Sequence, residues 1–107
     1  MQAAGARAVI STDGTVWNAN GAFCSLVHLE EPALRQLGWR QLVHPSDRRY
    51  VAAQLVELMA GTVKLREFDA RMAAPSGEEL PLRVRVELVR DVDGRQTWFL
   101  VEAWATT

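Results

Sequence analysis

From Leu82 to Leu88 the chain alternates: Leu82, Val84, Val86 and Leu88 are apolar, and Arg83, Arg85 and Glu87 between them are charged. A period of two is that of a β-strand with one covered face. By this pattern and by β-prone composition, residues 7–12, 15–18, 63–74, 79–91 and 95–105 are five predicted strands. Asp13-Gly14, Ser76-Gly77 and Asp93-Gly94 separate the first and second, third and fourth, and fourth and fifth. Glycine takes the positive φ that hairpin turns need, so each pair predicts a hairpin. Between strands two and three, from Ala19 to Ala60, the period becomes helical. Ala22, Phe23, Leu26 and Val27 share a face behind Asn20, a residue suited to capping a helix. Pro32 opens a short second helix that Gly38 is placed to end. The longest helix runs to about Ala60, where Gly61 stops it. Its Val51, Leu55, Leu58 and Met59 follow an i, i+4, i+7, i+8 stripe, with Arg49, Gln54 and Glu57 turned away. The order strand, strand, helices, strand, strand, strand predicts an α+β fold: a five-stranded antiparallel sheet with several helices on one face.

Composition narrows the class. At 107 residues the chain reads as a single domain, 1–107, long enough to bury one sizeable core. Its net charge of −1 gives no electrostatic case for nucleic acid or an anionic membrane. One cysteine, Cys24, excludes an internal disulfide and fits a reducing compartment. No apolar run suits a signal peptide or a membrane span, so a soluble, cytoplasmic domain is expected.

The stretch "LVHPSDRR" gathers His44, Ser46 and Asp47. A catalytic triad is a spatial arrangement that neighbours in sequence do not supply. Pro45 instead suits the first position of a helix, where its missing N–H is no loss. Asp47 suits the positive end of the dipole and can accept an orphan N–H, with His44 as a cap or loop hydrogen-bonder. The stretch is therefore expected to start a helix, and no catalytic residue is predicted. Cys24 and His28 stand i, i+4 and His44 is a third donor, but structural zinc wants four ligands and no fourth Cys or His exists. No metal site is predicted. Gly-rich phosphate loops are absent, and the pairs Glu30-Glu31 and Glu78-Glu79 fall in polar loops as solvated surface.

Three stretches, "STDGTVWNANGAF", "LGWRQLVHPSDRRYVAAQL" and "EFDARMAAPSGEELPLRVRVELVRDVDGRQ", lie in the order found in one family. The chain resembles a PAS domain of the subtype whose long helix begins His-Pro-x-Asp-Arg, here His44, Pro45, Asp47 and Arg48. Asn20, Ala22 and Phe23 match the first helix, Asp69 and Arg71 an acidic-x-Arg motif, and Gly77 and Gly94 the hairpins. The resemblance implies a sheet cupping a small pocket beneath the helices, without enzymatic activity of its own. It implies ligand binding or dimerisation that biases an attached or partner kinase, cyclase or transcription regulator. Departures count against two cofactors. Flavin photosensors carry a reactive Cys after the short helix, where "LGWRQL" stands here, and Cys24 lies on an earlier helix. Haem-binding members carry an axial His on the long helix; "RRYVAAQLVELMAG" has none, with Tyr50 and Met59 its remaining donors. No cofactor is predicted. The family usually ends in an Asp-Ile-Thr that launches an outgoing helix. Ala105 stands where that Asp would fall, so the chain is either cut at its boundary or exits differently.

On this register Phe68, Ala70, Met72, Val84, Val86, Phe99, Val101 and Ala103 line the pocket. Phe23, Leu37, Trp39, Val51 and Leu55 close it from the helices. With no ionisable group inward, the expected ligand is small and neutral or apolar; a filled core with no ligand is the plainer alternative. On the other sheet face Trp98, Leu100 and Trp104 alternate outward, and Trp17 is placed with them. An apolar patch of this kind marks a contact surface, here predicted to form a homodimer, unless residues 1–6 or a further helix cover it. The expected function is a non-catalytic sensory or dimerisation module of a signalling protein. The alternatives are a small cone-shaped α+β enzyme or ligand carrier, which needs a buried acid or base at the pocket, and a ligand-free protein-docking domain.

Overall fold

In the computed structural model, residues 5–94 and 97–106 are described. The elements are β1 (Ala6–Ser11), β2 (Val16–Ala19), α1 (Gly21–Val27), α2 (Glu31–Gln36) and α3 (Trp39–Leu42). A 3₁₀ turn (Pro45–Asp47), α4 (Arg48–Ala60), β3 (Leu65–Ala73), β4 (Glu79–Arg90) and β5 (Thr97–Ala105) complete the order. The strands form one antiparallel sheet in the order β2-β1-β5-β4-β3, so the first and last strands pair at its middle. This is the predicted α+β architecture. Arg95 and Gln96, where strand five was predicted to begin, lie outside the described residues.

Alternation sets which side chains enter the core. Leu82, Val84 and Val86 of β4, Phe99, Val101 and Ala103 of β5, and Phe68, Ala70 and Met72 of β3 are all buried. The helices cover them with Phe23, Val27, Leu34, Trp39, Leu42, Val51 and Leu58, and no polar or charged side chain is buried among the described residues. Asn20 caps α1 as predicted: its Oδ1 accepts the N–H of Phe23 at 2.9 Å. The same oxygen accepts the N–H of Arg7 and its Nδ2 donates to the Gly5 carbonyl, which ties α1 to β1.

Four details depart from the sequence reading. Gly38 does not end α2, which stops at Gln36; it opens the unpredicted α3. The Trp39 N–H reaches the Gly14 carbonyl at 2.9 Å, and a Cβ on Gly38 would lie 3.3 Å from that oxygen. Close approach to the first hairpin, rather than helix termination, explains that glycine. Met59 is 49% exposed, because eight residues at about 100° each leave it about 80° round from Val51. Gln54 and Glu57, expected to turn away, are half-buried, and Glu57 pairs with Arg66 of β3. Strand β2 carries a bulge: Val9 faces Asn18 and Ile10 faces Val16, so Trp17 is the extra residue.

A candidate core cavity and an outer sheet face

A cavity of about 50 Å³ lies between the sheet and α1, α3 and α4. Eleven of the thirteen residues expected around it line it: Phe23, Trp39, Val51, Leu55, Phe68, Ala70, Met72, Val84, Val86, Phe99 and Val101. Leu37 does not. It sits in the extended link after α2 and faces a surface groove with Leu29, Ala33 and Ala74. Nor does Ala103, which is buried away from it. The sequence reading missed Ile10, Leu42 and Val43. Leu42 and Val43 follow from α3, which was too short to announce itself by periodicity. Every lining residue is apolar. A water needs roughly 10–15 Å³ and pockets for drug-sized ligands run to roughly 300–1,000 Å³, so this space suits a group of a few atoms.

The His44–Asp47 stretch lies beside this cavity and works differently from its expected role. His44 does cap the 3₁₀ turn, its Nδ1 accepting the Ser46 N–H at 3.2 Å. Asp47, however, makes no side-chain cap to α4. Its carboxylate reaches across to β3, accepting the Arg71 backbone N–H at 2.8 Å and the Arg71 Nε and Nη2 at 3.1 and 3.0 Å. The Arg71 Nη1 donates to Glu79 at 3.1 Å, and the His44 Nε2 stands 3.6 Å from the same carboxylate. The His44 N–H also bonds the Arg71 carbonyl at 2.8 Å. The Arg71 guanidinium and backbone N–H hold the Asp47 carboxyl below its usual range, and Asp47 and then Glu79 raise Arg71. This clamp fixes the start of α4 to the β3–β4 hairpin. Next to it Val43 bridges Met72, and both line the cavity. With one ring nitrogen on Ser46 N–H and the other facing Glu79, His44 has none left to take a proton from the Ser46 hydroxyl.

Cys24 and His28 stand apart from this clamp on α1 and at its end. Cys24 is half-buried, and burial, then Glu31, pushes its thiol up. His28 is exposed at the end of α1 with φ 62°. Among the described residues no three His, Cys, Asp or Glu side chains could together hold a metal. Glu31 and Glu79 are not merely solvated loop carboxylates. Glu31 accepts the Ala19 N–H at 3.1 Å, and Glu79 belongs to the clamp on β4.

The outer face gathers all four aromatic and aliphatic residues placed there. Trp17 stacks on Trp98 with ring centroids 5.9 Å apart and planes at 22°. The bulge makes this contact: it sets Trp17 and Asn18 both outward between buried Val16 and Ala19. Trp17, Trp104 and Leu100 are 58%, 43% and 40% exposed. Val9, opposite Leu100, continues the patch into a hollow of about 480 Å³ flanked by Arg7, Arg85 and Glu102. Arg7 and Arg85 pair with Glu102 at 3.6 and 3.8 Å, and Arg83 with Asp69 at 3.1 Å. Apolar centre and balanced charges give the face the make-up of a protein contact surface.

The comparisons agree with this geometry. A family model described as the PAS fold matches residues 16–101. Over 95 residues, 89% of the chain, the sequence is 26% identical to the probable diguanylate cyclase DgcE of Escherichia coli (strain K12). The chain spans only 9% of that relative's length. The crystal structure of a PAS domain from a two-component sensor histidine kinase superimposes with a TM-score of 0.79 at 13% identity, over 95% of this chain and 85% of that one. The PAS domain of a protein from Colwellia psychrerythraea gives 0.85 at 13% identity, over 95% and 86%. Sheet order, a cavity under the helices and a family match over most of its length together show that the chain belongs to the PAS fold family, the sensory modules of signalling proteins.

Proposed function

We propose that this domain is a non-catalytic module that signals as a homodimer through its outer sheet face, with a core that admits at most a small, neutral ligand. The contrast between the two faces carries the reading: three large apolar side chains stand exposed outside, while the space inside is about 50 Å³. Scattered surface hydrophobics are ordinary, but a stacked tryptophan pair with Leu100 on the same face is the kind of feature that anchors interfaces. Trp17, Trp98, Leu100 and Trp104 are the proposed contacts. Any ligand would touch Phe23, Trp39, Val51, Leu55, Phe68, Met72, Val84, Val86, Phe99 and Val101, without help from Leu37.

Flavin and haem do not fit this proposal. Cys24 stands on α1, α4 offers no histidine, and either group would need several times the space present. An enzymatic reading would need an acid or base at the cavity, and its lining has no ionisable side chain. The cyclase relative and the kinase neighbour support an attached or partner output domain of that kind; a cytoplasmic location is part of the proposal. No helix among the described residues is long and apolar enough to cross a membrane. Native mass spectrometry of the purified chain, repeated after denaturation, tests the whole reading. We expect a dimer whose subunit mass is unchanged on denaturation, and a Trp98→Arg variant that is folded and dimerises more weakly. A wild type that stays monomeric at high concentration overturns the dimer; a small mass lost on denaturation makes ligand binding the primary role.

A further inference from the structure

Helix α4 buries Val51 and Leu58 and half-buries Leu55, yet its solvent side is not polar. Val56 is 63% exposed beside exposed Met59. Ala53 and Ala60 are also exposed and Ala52 half-buried. With 3.6 residues per turn these five side chains fall within an arc of about 120°. Arg49 lies in the same arc at its N-terminal end, exposed and without an ion pair among the described residues. Glu57 is off this arc, held by Arg66.

Asp47 stands at the N-cap of α4 with its carboxylate taken by Arg71, and the carbonyl end of the helix lacks the cation its dipole favours. Arg48 and Arg49 open α4 with no acid in its first turn, and its last turn has no basic residue. An antiparallel neighbour would correct this, since it brings a cation from one helix to the carbonyl end of the other. We propose that the exposed side of α4 is a self-association seam occupied by α4 of a second copy of this chain, antiparallel and related by a two-fold axis between Gln54 and Leu55. In that register Arg49 lies at the second copy's Ala60, where the free carbonyls are, and Ala53 lies against the second copy's Val56. Small side chains at the crossing let the axes approach closely. A 13-residue helix is only about 20 Å long, so the seam is small and the association weak. It lies on the helix side of the sheet, opposite the tryptophan face. Two such isologous contacts on one chain assemble dimers into larger closed or open arrays.

Sedimentation velocity over a concentration series, on the purified chain and its variants, tests this. In the Trp98→Arg background we expect a residual, concentration-dependent dimer. Arg49→Glu should weaken it roughly tenfold, the scale of one charged contact, without lowering Tm, because an acid in the first turn suits the helix. Adding Ala60→Arg to Arg49→Glu restores the pairing of unlike charges and should recover association. If Trp98→Arg is monomeric at every concentration, or Arg49→Glu associates like its parent, the seam is overturned and the sheet-face reading is untouched. If Trp98→Arg leaves the wild-type dimer intact and Arg49→Glu abolishes it, the seam stands and the sheet-face reading falls.

Discussion

Asp47 illustrates how one carboxylate can serve fold and site together. It accepts three hydrogen bonds from Arg71, and both side chains are only partly exposed, 22% and 39%. A fully exposed ion pair contributes roughly 0–1 kcal/mol and breaking a buried one costs roughly 3–5. Asp47→Ala should therefore cost about 1–3 kcal/mol, read from urea unfolding. The pH dependence has a definite sign. The folded carboxyl is held below its unfolded value, near 3.9, so the clamp contributes fully above that pH and is lost as pH falls through the lowered value. The stability gap between wild type and Asp47→Asn should then close in acid. A gap that stays constant down to pH 3 would show that the carboxylate's charge is not what holds Arg71. The sequence showed Asp47 and Arg71 as separate motif positions; their pairing was hidden because they stand 24 positions apart. Nothing local in a sequence reports which distant donor a carboxylate will find.

Elements were legible where a period had room to repeat. β4, with four inward apolar residues, and α1, with its Asn20 cap and buried Phe23 and Val27, match expectation, although Ala22 of the expected α1 face is exposed. α3 spans four residues, about one turn, so it has no period to read. Its position depends instead on a tertiary contact, the Trp39 N–H to Gly14 carbonyl bond. The same is true of the bulge at Trp17: strict alternation would pair Trp17 with Ala19 on one face, and only the register with β1 shows otherwise. The α3 contact is testable. Gly38 has φ −93°, which any residue adopts, so alanine there adds no backbone strain. Its Cβ would still press on the Gly14 carbonyl at 3.3 Å, a backbone atom with little freedom to give. Gly38→Ala should destabilise the domain by about 1 kcal/mol through overpacking at that contact. A stabilised variant, the usual effect of Gly→Ala where space is free, would mean that the hairpin and α3 are not held this closely.

At the scale of the whole molecule, the cavity is the feature that separates a sensor from a packed scaffold. At roughly 24 cal/mol per Å³, a void of about 50 Å³ forgoes about 1 kcal/mol of packing. That is a small fraction of the roughly 5–15 kcal/mol that stabilises an ordinary domain, so the space can persist without a ligand to hold it open. Ala70, on β3 beneath α4, lines it with the smallest side chain of the set. Ala70→Val adds two methyl groups and a β-branched shape that suits a strand. If they enter empty space the gain is up to about 1.6 kcal/mol, at about 0.8 per buried carbon, and Tm should rise by several degrees. If the walls must move to admit them, overpacking costs roughly 1–3 kcal/mol and Tm falls. We expect the rise, together with an unchanged dimer, because Ala70 faces the cavity and the tryptophan patch lies across the sheet from it. A rise in Tm with loss of dimerisation would instead couple the two faces: filling the core would then alter the surface through which this domain is proposed to signal.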